Sequence, residues 1–492
     1  MSRKPQAAGG KDARRGSRTK KNVERGKLVR GLLDFAFPQR SLFTKDQFHG
    51  NIKWDPNQLA MQALIWSWHE TKMVTDGFEQ SKETCDQLGL NEISQTYTGF
   101  MNALVRYRAV FDVGLHQQLH TLAEEIGGRF FRDKKWLLLG FDGSRATAPR
   151  TVANEVAFCA PTHGRGEKAR YNQSKSKRPN QPPRQKSKAT QPAPPEPQIW
   201  ITLLWHMSLR LPWTWRLGPS NSSERRQVQE ILGQEEFPAN TLFCGDAGFV
   251  GYPLWSDITK SGQEFLVRIG ANVNLLSERS DVKRLEGGIV LCWPKDRMHS
   301  GDPPLRLRLV RVQIGKTKMW MLTSVLDDKK LSNKDIARYY KMRWLLEVEF
   351  RGLKQTIDKS KLRCRNPERL LVELDWSLHA MAFAELIALR AQIPGAEKAQ
   401  APVPYDPKHR SLANTLRVLR RYMRTLKKLD TPGSLNKCLE NAVVQKYKNN
   451  TNKRARYHPK NKDHKPLGDP TVSKLTPEQR KKLRQLELQT AT

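Results

Sequence analysis

The chain has 492 residues, with 86 Lys and Arg against 49 Asp and Glu, for a formal charge of +37. That imbalance is too large for ordinary solubility and implies a polyanionic partner, most simply nucleic acid. The length allows roughly two to four domains, and 13 Trp within apolar segments argue against a short coating protein that only neutralises nucleic acid. Six scattered cysteines show no CxxC spacing and there is no HExxH, which argues against a zinc site and for reduced thiols.

Residues 1–26 are basic and lack an apolar h-region. They read as a disordered, DNA-attracted arm rather than a secretory signal. Residues 27–130 read as a helical DNA-binding domain. Asp55 is placed to cap a helix carrying Leu59, Ala63, Leu64, Trp66 and Trp68. A second helix covers Gly77 to Leu88, and Ser94 is placed to cap a third with Tyr97, Phe100, Met101, Leu104 and Val105 on its apolar side. Three short helices with a break before the third fit a helix-turn-helix-like reader, and a generic helical bundle fits the pattern as well.

The period then changes. The apolar run from Lys135 ends in Asp142, Gly143 and Ser144 and reads as a buried strand whose last residue points into a site. Residues 162–198 are rich in Lys, Arg, Pro, Ser and Gln, a disordered basic insertion. Ile199–Met207 and Leu211–Leu217 read as paired strands, Ser222–Leu232 as a helix, and Thr241–Cys244 as a strand followed by Gly245 and Asp246. A helix over Tyr252–Thr259, with Asp257 toward solvent, and a strand over Glu264–Ile269 follow. This order predicts an α/β, ribonuclease H-like catalytic core over residues 131–270 and 326–392, interrupted by a β-rich insertion over 271–325. Leu370–Leu389 contains Glu373, Asp375, His379 and Glu385, so it reads as a buried helix rather than a membrane span. Residues 393–492 read as a basic helical and disordered region, solvated over 446–465 and 476–486.

The most informative run is Tyr340–Lys354, which follows a capping-box-like start at Ser332 and Asp335. Tyr340, Arg343, Glu347 and Lys354 lie at offsets of three, seven and fourteen residues from the first. At about 100° per residue, one continuous helix holds all four within an arc of roughly 60°. Leu345, Leu346 and Leu353 fall on the other side, toward a core. An ordinary amphipathic helix with salt bridges one turn apart would show a similar pattern. Asp142 and Asp246 favour the chemical reading. Phosphodiester cleavage by paired Mg²⁺ ions needs a few carboxylates from different elements, and Glu347 supplies the third. Glu349 is the competing acid, but it lies about 200° round the helix from Glu347 and faces away from the cations.

The spacing of Tyr340, Arg343, Glu347 and Lys354 resembles the signature of the IS-four family of bacterial insertion-sequence DDE transposases. Phe141–Ser144 and Gly245–Phe249 resemble its two Asp blocks, and the likeness extends over roughly residues 30–390. The resemblance implies a DNA transposase that cleaves transposon ends and joins them to target DNA. Asp142, Asp246 and Glu347 would then be catalytic and bind Mg²⁺ or Mn²⁺. Tyr340, Arg343 and Lys354 would hold DNA phosphates, while Trp344 and, more loosely, Trp320 are candidates to stack on a flipped base; core packing is the ordinary alternative for both rings. The implied partners are double-stranded DNA, as terminal inverted repeats and target, and a second copy of the chain in a homodimeric DNA complex. No membrane is involved, and the implied location is the bacterial cytoplasm at the nucleoid. A ribonuclease H-like nuclease or resolvase without strand transfer, or an inactive DNA-binding descendant, would share much of this pattern.

Overall fold

The computed structural model describes residues 29–37, 42–159, 196–277, 288–315, 317–397, 407–424, 435–444 and 467–490. The arm 1–26, almost all of the insertion expected over 162–198, and the segment 446–465 lie outside the described residues. The fold is mixed α/β, with helices around one large sheet. The strands are β1 (Leu137–Thr147), β2 (Gln198–His206), β3 (Leu211–Pro219), β4 (Thr241–Gly245), β5 (Glu264–Ile269), β6 (Asn274–Ser277), β7 (Ile289–Cys292), β8 (Leu305–Ile314), β9 (Thr317–Thr323) and β10 (Thr471–Lys474). They run across the sheet in the order β10-β6-β7-β8-β9-β5-β4-β1-β2-β3.

The centre of the sheet is apolar on both faces, as parallel strands covered by helices on each side must be. Leu137, Leu138, Leu139 and Phe141 of β1 are all fully buried. β1 pairs antiparallel with β2 and parallel with β4, and β4 pairs parallel with β5. Side chains alternate between faces along a strand, so the register assigns each helix to a side. A Cβ on Gly140 would lie 3.1 Å from Leu346, which puts the helix Leu345–Arg351 on the face of Gly140 and Asp142. Gly143 lies on the other face, as does its partner Thr202, whose hydroxyl donates to Gln227 of the helix Glu224–Gln234 at 2.6 Å.

A 31-residue helix, Pro367–Glu397, packs against β3 and against the helices Pro56–Trp68, Arg108–Gly127 and Leu412–Arg424. Its apolar run is buried, as its length and its interspersed acids predict. The Trp68 indole N–H donates to the Ala380 carbonyl at 2.7 Å, and the Arg420 guanidinium donates to the Trp68 carbonyl at 2.7 Å. Helices of the 27–130 region therefore share one hydrophobic core with the sheet. Pro56–Trp68 is buried at all 13 positions, so this helix has no face left to enter a DNA groove. Asp55 caps it as expected. The helix Tyr97–Arg106 is capped by Thr96 rather than Ser94; Ser94 is buried, its backbone N–H held by the Gln62 side chain.

The strands of 271–325, expected as a β-rich insertion, are joined to the core sheet, because β9 pairs antiparallel with β5 and β6–β9 prolong it. The segment 476–486, expected to be solvated, belongs to the helix Pro477–Thr490. β10 precedes it and adds to β6 in parallel, and Leu475 and Leu483 close a small core with Leu291, Trp293 and Met298. No described helix is long and apolar enough to cross a membrane.

Leu483→Asp would bury an unpaired carboxylate in that small core, a change expected to cost about 2–4 kcal/mol of local stability. Protease should then cleave within 467–490 while the rest of the chain resists. Unchanged resistance of that segment would show that the small core does not hold it.

Candidate active site

Register puts the two aspartates beside each other. Gly140 is opposite Cys244 in the parallel pair β1–β4, so two residues further along each chain come Asp142 and Asp246, on the same face of strands about 4.8 Å apart. Asp246 follows the last residue of β4. Asp142 is not the end of its strand, because β1 continues to Thr147 against β2. It stands where β4 stops, so one flank of the strand opens and the carboxylate is only half-buried. Both carboxylates fold back on their own turns. Asp142 Oδ1 accepts from the Gly143 N–H at 2.9 Å, and Asp246 Oδ1 accepts from the Gly248 N–H at 2.7 Å.

The Tyr340–Lys354 run is not one continuous helix. A helix ends at Arg343, the chain breaks at Trp344, a second helix runs Leu345–Arg351, and a π-helical turn covers Gly352–Thr356. A wider turn changes the angular phase, so the single arc expected for all four polar residues does not carry through to Lys354. Arg343 is buried at 7% exposure. Its Nη1 lies 3.6 Å from Asp142 Oδ2, and its guanidinium carbon lies 5.4 Å from the centre of the Tyr340 ring. Glu347 is exposed, and its charge reaches Asp142. Burial lowers the Lys354 amine below its usual pKa.

Burial raises the pKa of Asp142; Arg343 and the Gly143 N–H oppose that rise, while Asp246 and Glu347 add to it. The three acids thus lie within electrostatic reach around Asp142, though their oxygens do not all lie within 4.8 Å of one another. A fourth acid was not singled out in the sequence. Glu224, the first residue of the helix after β3, is pushed up to about 7 by burial and then by Asp142 and Asp246. Nothing in its local sequence marks it, because only the tertiary fold brings it here.

The remaining candidates separate clearly. Trp344 is 65% exposed at the break between the two helices. Trp320 sits on β9 with its indole N–H donating to Asp469 at 2.7 Å and Arg311 over its ring, so the ring is engaged within the fold. Asp257 is half-buried rather than facing solvent and accepts from Gln229 at 2.6 Å. Glu349 is buried away from Glu347, beside Glu385 and near Arg410. Asp112, His116 and His379 bring ligating atoms within 4.8 Å of one another. There the Asp112 carboxylate lies 3.0 Å from His379 Nε2 and 3.4 Å from His116 Nδ1. Burial holds His116 down at about 3, hence neutral, and the cluster is a buried polar tie between two helices.

Two half-buried aspartates, Asp142 and Asp246, thus lie near the point where β4 ends, with the buried Arg343 beside Asp142, a donor set that can take a hard cation. Residues 201–383 match the family described as Transposase DDE domain. The chain is 23% identical over 246 residues to transposase InsG for insertion sequence element IS4 of Escherichia coli, covering 48% of each chain. It is 26% identical over 154 residues to a protein of Sinorhizobium fredii described as a candidate transposase, y4zB, covering 30% of this chain and 43% of the relative. The chain thus spans less than half the length of either relative. A piggyBac transposase synaptic complex with hairpin DNA aligns over 87% of this chain and 85% of its own at 12% identity. Its TM-score of 0.36 is too low to bear on the fold.

The contrast between Glu347 and Glu349 can be read in stability. Burial, and then the neighbouring Glu385, raise Glu349 well above its ordinary value of 4.5. A carboxyl raised in the fold contributes stability below its unfolded pKa and loses it as pH rises through the folded one. Glu349→Gln removes that titration. Between about pH 5 and pH 9, its urea midpoint should fall less than that of the parent chain; parallel declines would refute the assignment.

Proposed function

We propose that the chain is a DNA transposase of the IS-four group that cuts DNA at transposon ends and joins the cut ends to a target. The observation that carries this reading is the β1–β4 register, which sets Asp142 and Asp246 side by side beneath the helix segment that bears Arg343 and Glu347. A ribonuclease H-like core is the matching fold proposal. Its support is the strand order β3-β2-β1-β4-β5, in which β2 alone runs antiparallel to its neighbours.

The donor set suits a hard divalent cation, Mg²⁺ or Mn²⁺, because it offers carboxylate oxygens without His or Cys. Asp142, Asp246 and Glu347 would hold it. Such a cation polarises the scissile phosphate and makes its bound water a nucleophile at neutral pH. In cleavage, a water oxygen bonds to phosphorus, the bond from phosphorus to the 3′ oxygen breaks, and that oxygen leaves as a 3′-hydroxyl. In joining, the 3′-hydroxyl gives up its proton and displaces a strand oxygen of the target in the same way. Arg343 offsets the charge of Asp142 and offers a planar donor fork to the incoming phosphate. Tyr340 backs that guanidinium, and Lys354 is assigned to DNA farther along. Trp344, exposed beside this group, would stack on an unpaired base. Trp320 would serve that role only by giving up its bond to Asp469.

The partner is double-stranded DNA, as inverted repeats and target, and the charge of +37 suits it. Two copies of the chain would hold two ends together. The 27–130 region is assigned to end recognition through its exposed surfaces, such as Thr98, Asn102 and Arg106 on one helix.

Asp142→Asn, Asp246→Asn and Glu347→Gln should each lower strand cleavage on the order of 10³-fold while end binding persists. Cleaved products should include 3′ ends joined to target DNA; products that are only hydrolysed would point to a nuclease instead. Full activity in Glu347→Gln would sink the site. Trp344→Ala should change folding stability by less than about 0.5 kcal/mol, because the ring is exposed. It should weaken the complex with a cleaved end by about 1–3 kcal/mol, and an unweakened complex would remove Trp344 from the DNA path.

A further inference from the structure

Ser223 caps the helix Glu224–Gln234 by accepting from the Arg226 N–H. The cap fixes where the helix starts, and the start places Glu224 at the open ends of β1 and β4. Gly143 makes the room it occupies, and Gly248 lies nearby. A Cβ on Gly143 would fall inside van der Waals contact of both the carboxylate and the stem of Glu224. A Cβ on Gly248 would lie 3.0 Å from Asp246 Oδ1 and 3.9 Å from Glu224 Oε2. The Glu224 carboxylate therefore lies over the strand residue that follows Asp142 and reaches toward the turn that holds Asp246.

Among the described residues Glu224 makes no hydrogen bond or ion pair. Its two nearest cations are occupied elsewhere. The Arg225 guanidinium donates to the Val250 carbonyl at 2.7 Å, and Arg145 lies over the Trp200 ring, 4.3 Å from its centre. On the far side of the site Arg343 is more than nine-tenths buried and directs Nη1 at Asp142, and its Nε has no partner. Arg343 thus pairs with Asp142, and a half-buried acid such as Glu224 without a hydrogen-bonded partner is costly unless a cation joins it. An acid in the first turn also favours its own helix. That role needs no second group and does not explain the missing side chain at Gly143, against which the Glu224 carboxylate lies.

We infer that Glu224 is a fourth carboxylate of the cation site formed by Asp142, Asp246 and Glu347, its oxygens holding the water shell of the cation on the side opposite Glu347. This rests on the proposed function for the existence of that site, and it adds a residue from the helix Glu224–Gln234.

The test uses the full chain and Mn²⁺ alone as the probe, with bound metal read by water-proton relaxation and no DNA present. Glu224→Gln keeps the size of the side chain and removes its charge. It should weaken Mn²⁺ binding about 10-fold and raise the Mg²⁺ concentration for half-maximal cleavage by a similar factor, with metal-free end binding unchanged. Gly143→Ala keeps every charge and displaces the Glu224 carboxylate, so it should shift Mn²⁺ binding in the same direction. Thermal melts without metal check that both variants fold. A purely helix-stabilising Glu224 would lower the melt of Glu224→Gln and leave Mn²⁺ affinity as in the parent chain. Parent-like Mn²⁺ affinity in both variants overturns the inference. Asp142→Asn separates the two failures. If it loses metal and cleavage while the Glu224 and Gly143 variants behave as parent, the transposase site stands without Glu224. If Asp142→Asn also binds Mn²⁺ and cleaves as parent, the underlying site itself is wrong.

Discussion

Parallel pairing of β1 with β4 sets the geometry of everything near the chemistry. The register Gly140↔Cys244 fixes which residues emerge together when β4 ends. A one-residue slip would turn one of the two aspartates to the opposite face. The slip is opposed by Phe141, whose ring occupies the space left by the missing side chain of Gly245. Gly140 adds a second constraint. Its missing side chain lets Leu346 settle on the sheet, and Leu346 holds the helix that carries Glu347. The position of the third acid therefore follows from the same strand that positions the first.

The charge pattern around these acids is poorly balanced for stability. Asp142 has its pKa raised by burial despite Arg343, and Glu224 is pushed to about 7. Two buried acids elsewhere have close partners, whereas Glu349 is raised as Asp142 and Glu224 are. Glu373 accepts from Lys359 and from two backbone N–H groups, and its pKa is lowered in spite of burial. Asp375 meets Arg108 and the Trp215 indole. The contrast distinguishes acids whose partners the fold supplies from acids whose partner must arrive. Perturbed groups of the second kind concentrate where function needs them. Because Arg343 stands 3.6 Å from Asp142, a cation entering the site would compete with the guanidinium for that carboxylate.

Much of the core was legible because its signals are local. Apolar runs of strand length bounded by Gly and Asp located β1, β2, β3, β4 and β5 within a few residues, and Asp55 and Pro56 marked a helix start that the structure keeps. The acid–cation spacing of Arg343 and Glu347 was also readable. What escaped reading depends on distant partners. Glu224 looks like any first-turn acid until the fold brings it over Gly143. β10 is four residues long and becomes a strand only because β6 offers an edge. The helix break at Trp344 and the π turn after Gly352 have no proline to announce them; Leu412 lies 2.7 Å from where a Gly352 Cβ would be, so packing from a later helix crowds the chain there.

Glu347 and Glu349 show how much rests on helical phase. Two residues apart on one short helix, one is exposed toward Asp142 and the other is buried beside Glu385. Their chemical characters follow from that half-turn alone, since in water the two side chains are equivalent. Glu349 is raised because its surroundings cannot solvate a charge, and near it Glu385 already faces Arg410 at 3.7 Å. Glu347 stays in contact with water, where a carboxylate remains available to a cation. The break at Trp344 makes this assignment independent of the preceding helix. The helix Asn333–Arg343 anchors Arg343 against Asp142, and the helix Leu345–Arg351 anchors Leu346 against Gly140. Each half is thus fixed to β1 by its own contact. The exposed ring of Trp344 lies between the two helices, outside both of these contacts.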